Sequence, residues 1–444
     1  MQIALWIVLC LGSAILLHSR PALMVCTALA IWTFVPGIAA PLITGKSTGL
    51  VAFHPATWFV LACMFVLLVR HPRDLLTEIA GRWVLYLTQI FVVAAAVVMT
   101  MMGSRPPGLV IIVDQVLVPV IMFWIASAAF RGDPANRLTV RNWVVGLAAA
   151  QSAISLVQWV SGSVLVYGAQ FRTNYWFTPA WTRWMGTTDH PLVLSMLLCA
   201  AVPLVAGLRR PVIQICLLAL MSAATLITQS RTAAVLMPVC LLYVVFRSRA
   251  RPGAKMAMGA AIAVGAIALL MSPLTAGITA RLRDDTGSTK ARSLALDFFF
   301  GHWQQFLYQG DGITTSYLVA RLGGLSTSLE NAFLIYAVGV GIIVAVAYFG
   351  SQVAVVLASL RRPRLRGALL AAVMVLVIPQ TFSSLGVDTV CGPLLWVILS
   401  LVASGSIVPA GSAAPEAPSE ATAGQDKNRP GSRRAGLSPS TMSS

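Results

Sequence analysis

Long runs of apolar residues, separated by short polar loops, recur along most of the chain. A run of about 20 apolar residues can cross a bilayer as a helix. The pattern predicts an all-α polytopic membrane protein, with about 12–13 transmembrane helices in one integrated core over residues 1–404. The predicted spans are roughly 3–17, 21–43, 51–69, 83–102, 109–129, 143–161, 188–207, 212–228, 233–246, 256–276, 330–358, 368–383 and 391–404.

The composition agrees with this pattern. Of the 444 residues, 58% are hydrophobic and only 10% are charged, whereas soluble domains carry about 25% charged residues. The net charge of +17 would suit a protein that binds nucleic acid. The charges lie in short loops between apolar spans, however, so no nucleic-acid partner is predicted. The seven cysteines lie in apolar segments without metal-ligand spacing. Neither a metal nor a cofactor is predicted.

The basic residues divide the loops into two alternating sets. One set, together with the C-terminal tail, holds 21 of the 31 Lys and Arg residues, and is therefore predicted to be cytoplasmic. Thirteen spans would place the N-terminus outside and the C-terminus inside. Residues 405–444 are rich in Ala, Gly, Ser and Pro and contain no aromatic residue, so they predict a disordered cytoplasmic tail.

Two predicted outer loops are long. The loop at about 162–187 is rich in Tyr and Trp and contains Arg172 and Arg183. It suits an aromatic belt at the membrane interface or a platform for sugar rings, and the two interpretations are compatible. The loop at about 277–329 places four apolar residues on one helical face, which predicts an amphipathic helix lying on the outer membrane surface like a lid. They are Leu296, Phe300, Trp303 and Leu307.

Charged residues also collect at the predicted outer ends of the spans. Arg231 lies in a minimal turn, and four carboxylates lie near span ends: Asp114, Asp189, Glu330 and Asp388. They are either ordinary polar helix ends or the lining of one outward-facing cavity. Arginines suit phosphate or pyrophosphate, and a carboxylate can accept a proton from an attacking hydroxyl. The combination indicates an outer-face transferase that uses a lipid pyrophosphate donor.

Four features at residues 150–350 carry a family resemblance. The chain resembles the O-antigen ligase and O-antigen polymerase superfamily of bacterial membrane glycosyltransferases, through the order and spacing of these features. They are Gly186–Pro191 (GTTDHP) opening a span, Thr228–Ala233 (TQSRTA) as a Ser-Arg turn, Arg292 followed by Trp303 and Gly310–Gly312, and Glu330–Leu334 (ENAFL) followed by Gly339 and Gly341.

The resemblance implies glycan transfer from an undecaprenyl-pyrophosphate donor at the outer face of the bacterial inner membrane, by an inverting, metal-independent mechanism. The acceptor would be a glycan, a lipid or a protein. It implies that Arg231 and Arg292 hold the pyrophosphate, with Arg281 and Arg283 as competing choices for the loop arginine. The remaining candidate substrate-binding residues are Arg172, Arg183, Asp189, His190, Trp303 and Asn331.

One position departs from the family pattern. Ligases of this family carry a His before the Asn of the fourth feature, whereas this chain has Glu330. A carboxylate suits the base role but cannot contact phosphate as a cation, so a polymerase, or a ligase with another acceptor, fits better. A helix N-terminal carboxylate that stabilises the dipole is the alternative interpretation of Glu330.

Two other functions stay open. Glycosyltransferases that use polyprenyl-phosphate sugars typically carry an acidic motif in the first outer loop, and residues 44–50 contain no carboxylate. A lipid-linked glycan flippase or another transporter should have charges inside several spans, whereas the charges here collect at one predicted face.

Overall fold

Helices account for the regular secondary structure of the part of the chain described by the computed structural model, which covers residues 1–103, 107–173, 177, 183–270, 287–322, 324, 329–361 and 365–404. No strand occurs in these ranges. The α-helices are α1 (Gln2–Leu17), α2 (Pro21–Phe34), α3 (Ala40–Thr44), α4 (Pro55–Arg70), α5 (Pro72–Gly81), α6 (Trp83–Met102), α7 (Gly108–Ile112), α8 (Val118–Gly132), α9 (Asn136–Ser161), α10 (Gly168–Phe171), α11 (Pro191–Val205), α12 (Pro211–Ile227), α13 (Arg231–Arg247), α14 (Pro252–Leu270), α15 (Gly287–His302), α16 (Ser316–Leu322), α17 (Ala332–Val340), α18 (Ile342–Ala358), α19 (Ala368–Val377) and α20 (Cys391–Ala403).

Three helical segments in the described ranges are long and apolar enough to cross a membrane: Trp83–Met102, Gly108–Gly132 and Asn136–Ser161. The all-helical character and the presence of candidate spans agree with the sequence prediction. The count of thirteen spans stays a prediction, because most of the other apolar helices have 10–17 residues. The predicted tail at 405–444 lies outside the described residues.

The core is built around two helices that are apolar on every side. Every residue of α20 is buried, and so is every residue of α11 except Leu192, which is partly buried, as expected for helices without a polar face. Helix α20 packs against α8 and α19, and α11 packs against α9, α13 and α19. In contrast, α6 exposes large apolar side chains, among them Trp83, Leu87 and Ile90.

The predicted span 21–43 is one segment in sequence but two in the structure. Helix α2 ends at Phe34, and the chain bends by 84° before the helical stretch Gly37–Thr44. Pro36 explains the break, because proline has no N–H to donate and disfavours a helical residue before it. The predicted span 330–358 is also divided, into α17 and α18, at Gly341, whose φ is +91°.

A π-turn interrupts the span Gly108–Gly132 at Val113–Leu117, between α7 and α8. Such turns are often found at functional positions. This one carries Asp114 and Gln115, both fully buried. Asp114 accepts hydrogen bonds from the backbone N–H of His54 (3.0 Å) and the hydroxyl of Thr57 (2.5 Å). The π-turn therefore ties this span to the start of α4.

A buried ion cluster joins the ends of four helices that the charge pattern predicts to be cytoplasmic. Glu78 of α5 is 1% exposed and forms ion pairs with Arg82 and with Nη2 of Arg131, the latter at 2.7 Å. Nη2 of Arg82 also donates to the carbonyl of Ala403 at 3.1 Å. Two of the arginines that define the predicted inner face thus have structural partners, which offset the cost of burying Glu78.

The break at Gly37 supplies a test of the packing. A Cβ atom on Gly37 would lie 2.8 Å from the carbonyl oxygen of Asp388. We expect Gly37→Ala to destabilise the protein by about 1–3 kcal/mol through overpacking, and to lower the thermal unfolding midpoint measured by intrinsic fluorescence in detergent. Gly12→Ala is the control, because Gly12 lies within α1 and has open space around its Cβ position. Equal midpoints for the two variants would contradict the close packing at Gly37.

Candidate functional site

The Ser-Arg turn opens helix α13. Ser230 is the N-cap, and its hydroxyl accepts a hydrogen bond from the backbone N–H of Ala233 at 3.3 Å. Such a cap pairs one of the N–H groups that a helix start leaves free. Gln229 adopts a left-handed conformation with φ of 51°, which turns the chain sharply after α12. Arg231 is therefore the first residue of α13, with a half-buried side chain.

Residues 183–190 run alongside this turn. The backbone N–H of Trp184 donates to the carbonyl of Ile227 at 3.1 Å, and Nε of Arg183 donates to the carbonyl of Thr228 at 2.9 Å. Arg183 thus pairs a carbonyl that α12 leaves unpaired at its C-terminal end. The two residues that lie just before the first sequence feature therefore contact the second feature or the residue before it, and Arg183 stabilises the turn that precedes Arg231.

His190 caps the next helix. Its Nδ1 accepts a hydrogen bond from the backbone N–H of Leu192 at 3.1 Å, at the start of α11. With Nδ1 occupied in this way, the contact of His190 that the structure shows is that of a helix cap. Its predicted role in substrate binding remains a prediction.

Asp189 caps the broken helix. Its Oδ1 accepts a hydrogen bond of 2.6 Å from the backbone N–H of Gly37, and its carboxylate also accepts from the N–H of Ile38. A carboxylate at a helix N-terminus is favoured by the helix dipole. The visible contacts of Asp189 are structural, and its substrate role stays a prediction.

Glu330 and Arg292 form an ion pair at the centre of the candidate site. Nε of Arg292 lies 3.4 Å from Oε2 of Glu330, and their side chains are 41% and 24% exposed. Nη2 of Arg292 donates to the carbonyl of Thr381 at 2.9 Å. Glu330 has a φ of 47°, a strained conformation for this residue type. Such strain is often found at functional positions.

Three influences set the charge state of Glu330. Burial raises its pKa, whereas the charge and hydrogen bond of Arg292, and then the charge of Arg231, lower it. The net effect is a pKa above the ordinary value of 4.5. The positive charges of Arg231 and Arg292 therefore both act on Glu330, so the three residues assigned to catalysis from the sequence lie together.

Asn331 completes the start of helix α17. Its Oδ1 accepts a hydrogen bond from the N–H of Leu334 at 3.0 Å, and its Nδ2 donates to the carbonyl of Gln380 at 2.9 Å. The side-chain Oε1 of Gln380 accepts from the N–H of Phe333 at 3.0 Å. Two amide side chains thus pair two N–H groups of the first turn of α17.

The third and fourth sequence features meet through glycine-rich backbone. The N–H of Asp311 donates to the carbonyl of Val338 at 3.0 Å, and the N–H of Gly312 donates to the carbonyl of Gly339 at 2.8 Å. A Cβ atom on Gly310 would overlap the backbone of Gly339. Glycine at 310 is therefore required for the loop to approach α17 this closely.

The predicted amphipathic helix forms, but a different side of it faces the protein. Helix α15 buries Ala295 and Phe299 and directs Arg292 towards Glu330. The predicted apolar face is exposed at Leu296 and at Phe300, which is 68% exposed. The helix ends at His302, and Trp303 begins a 3-10 turn, Trp303–Phe306, with a side chain that is 40% exposed. Whether the exposed face lies in the membrane surface stays a prediction.

The other predicted site residues are placed less closely or fall outside the described ranges. Arg172 follows α10 and is exposed, and no contact in the described ranges joins it to Glu330. Arg281 and Arg283 lie outside the described residues. No group of three or more His, Cys, Asp and Glu side chains is placed to hold a metal ion within the described ranges.

Sequence reasoning missed the residues that hold the site together. Gln380 and Thr381 belong to a 3-10 turn, Ile378–Thr381, at the end of the predicted span 368–383. Two glutamines of α9 accept hydrogen bonds from the turn before α11. Oε1 of Gln151 accepts from the N–H of Thr187, and Oε1 of Gln158 accepts from the N–H of Gly186. The only sequence signal was the presence of glutamine inside or at the end of an apolar run.

No protein-family model matches the chain, and no curated protein shows significant sequence similarity to it.

Proposed function

We propose that the chain is a membrane glycosyltransferase of the O-antigen ligase or polymerase type. It would transfer glycan from an undecaprenyl-pyrophosphate donor at the outer face of the bacterial inner membrane. The observation that carries the proposal is the convergence of the charges of Arg231 and Arg292 on Glu330. A carboxylate that feels the positive charges of two arginines, and that is reachable from solvent, provides a base next to a site for an anion.

The proposed chemistry needs both kinds of group. Glu330 accepts the proton of an acceptor hydroxyl while that oxygen attacks the anomeric carbon of the donor. The bond between the anomeric carbon and the phosphate oxygen breaks, and the pyrophosphate leaves with the electron pair. Attack from the opposite side inverts the anomeric centre. Arg231 and Arg292 stabilise the charge that develops on the leaving group, which is the role of fixed cations in phosphate chemistry.

The ion pair adds a condition to this scheme. Arg292 is engaged by Glu330 and by the carbonyl of Thr381, so a pyrophosphate would compete with Glu330 for its guanidinium group. Transfer of Arg292 to the donor would remove a charge that lowers the pKa of Glu330. Glu330 would become a stronger base when the donor is bound.

The direct experiment supplies the purified protein, in nanodiscs, with an undecaprenyl-pyrophosphate-linked oligosaccharide and EDTA. Products are followed by gel electrophoresis and mass spectrometry. Longer lipid-linked chains support a polymerase, and donor consumption that requires an added lipid or protein acceptor supports a ligase. If neither product forms, the glycosyltransferase proposal is wrong.

A second candidate, transport of a lipid-linked glycan or another solute, is favoured by one observation. Broken helices and buried carboxylates often mark the ion and substrate sites of secondary transporters. Here the 84° break at Gly37 is capped by Asp189, and Asp388 packs against Gly37. Movement of the donor across a sealed bilayer, without any change in its glycan, would favour this alternative.

Arg231 offers a test of the proposed pyrophosphate site. We expect Arg231→Ala to lower kcat/KM by roughly 10²–10³-fold, the range for loss of one stabilising donor in a transition state. Arg231→Lys should recover only part of the lost kcat/KM, because lysine keeps the positive charge but cannot form the bidentate hydrogen bonds of a guanidinium group. Arg209→Ala is the control, because Arg209 is exposed at the opposite end of α12. Wild-type rates in both Arg231 variants would contradict the assignment.

Glu330 predicts a pH dependence. A base must be ionised, so the rate should fall as the pH drops through the raised pKa of Glu330, which lies above the usual 4.5. Arg292→Gln removes a charge that lowers this pKa in the free enzyme, and the acid limb of log kcat/KM, which reports the free enzyme, should move to higher pH. Asp297→Asn alters an exposed charge on the same helix and should leave the limb in place. An unmoved limb in Arg292→Gln would be evidence against Glu330 as the base.

A further inference from the structure

We propose that Gln380 is a positioning residue, which holds Glu330 against Arg292 by fixing the first turn of α17. The inference rests on the proposed role of Glu330 in transfer, but the placement itself can be measured without that activity. Gln380 lies 50 positions beyond Glu330 in the chain, at the end of a predicted span. Neither its residue type nor its spacing distinguishes it in the sequence.

Gln380 contacts the turn through two separate groups. Its side-chain Oε1 accepts a hydrogen bond from the N–H of Phe333 at 3.0 Å, and its backbone carbonyl accepts from Nδ2 of Asn331 at 2.9 Å. The side-chain bond replaces a partner that the N–H of Phe333 lacks within its helix. The carbonyl orients the Asn331 side chain, whose Oδ1 pairs the N–H of Leu334.

The same short turn also holds Arg292. The carbonyl of Thr381, the next residue, accepts a hydrogen bond of 2.9 Å from Nη2 of Arg292. The 3-10 turn Ile378–Thr381 packs against both α17 and α13, and Arg231 is the first residue of α13. One short turn therefore contacts α17, whose start follows Glu330, the side chain of Arg292, and α13, which begins at Arg231.

Glu330 needs such support because its backbone is strained. A non-glycine residue with φ of 47° persists only where its surroundings impose that conformation. The residues that follow it, Asn331 and Phe333, are both hydrogen-bonded to Gln380. Loss of the Gln380 side chain would leave the buried end of α17 with an unpaired N–H. The turn could then relax and carry the Glu330 carboxylate away from Arg292.

The test uses double-mutant cycles on the full-length protein. Gln380→Ala should lower kcat by between about tenfold and a hundredfold, the scale expected for misplacement of a catalytic group, with a smaller effect on KM. In a Glu330→Gln background, Gln380→Ala should cause little further loss of kcat, because its effect acts through Glu330. Equal, additive losses in the two backgrounds would overturn the inference.

A matched control separates positioning from general stabilisation. Gln214 is buried, whereas Gln380 is partly buried, and the Nε2 atom of Gln214 donates to the carbonyls of Val205 and Leu208 at the far end of α11. Gln214→Ala should lower the thermal unfolding midpoint while leaving kcat near wild type. A loss of kcat equal to that in Gln380→Ala would mean that reduced stability alone explains both variants.

The conservative variant gives a signature that a purely structural role would not move. Gln380→Glu keeps an acceptor for the N–H of Phe333 but adds a negative charge near Glu330. Like charges disfavour ionisation of a carboxylate. We expect Gln380→Glu to recover much of the kcat lost in Gln380→Ala at high pH, and to move the acid limb of the pH profile upwards. If Gln380→Glu neither recovers kcat nor moves the acid limb of the pH profile, Gln380 does not position Glu330.

A thermal cycle keeps the inference testable if the wild-type protein transfers no glycan. Unfolding midpoints are measured for Gln380→Ala, Glu330→Gln and the double variant. If Gln380 holds Glu330 against Arg292, the two losses should be less than additive, because each removes the same ion pair. Strict additivity would reject the positioning role, whereas absence of transfer by the wild type would reject only the proposed function.

Discussion

Backbone groups at helix breaks are the constraint on which this structure depends. A buried N–H or carbonyl group without a partner costs free energy, and hydrocarbon supplies no partner. The chain breaks its helices at Gly37, at the Ser230 turn and before α17, and polar side chains pair the exposed groups at each place. Asp189 pairs the amides at Gly37, and Gln380 pairs that of Phe333. At these breaks, the polar side chains lie where the backbone would otherwise have unpaired groups.

The segment after α19 joins these breaks to one another. Thr381 accepts from Arg292, and Gln380 caps α17. Further along, the carbonyl of Thr389 accepts a hydrogen bond of 2.7 Å from Nε2 of Gln115 in the π-turn, and Asp388 packs against the break at Gly37. The candidate site and the broken helix are consequently held by the same stretch of chain, residues 380–389.

The sequence predicted the helical class, because hydropathy acts over local windows. The expectation that Arg231, Arg292 and Glu330 share one site came from the family resemblance and from their predicted outer side. The breaks in the predicted spans 21–43 and 330–358 were not predicted, although Pro36 and Gly341 are present in the sequence. The mean hydropathy of a segment depends on its composition and does not depend on its backbone geometry. On α15 the predicted apolar face is exposed, since packing is decided by Ala295 and Phe299, which fit against the bundle. Gln380 could not be found at all, because its importance comes from a contact 47 residues away in sequence.

The hydrogen bond between Asp189 and Gly37 also bears on how the protein is made. Its two residues are 152 positions apart in the sequence. Two other hydrogen bonds join residues that are still further apart: Gln115 and Asp388 are separated by 273 positions, and Arg82 and Ala403 by 321. Contacts between distant parts of a chain form slowly, because a long loop must close first. During synthesis from the N-terminus, the early helices must wait for partners that have not yet been translated. Assembly of the polar interior is therefore one of the last steps of biogenesis, completed only when α20 has taken its place.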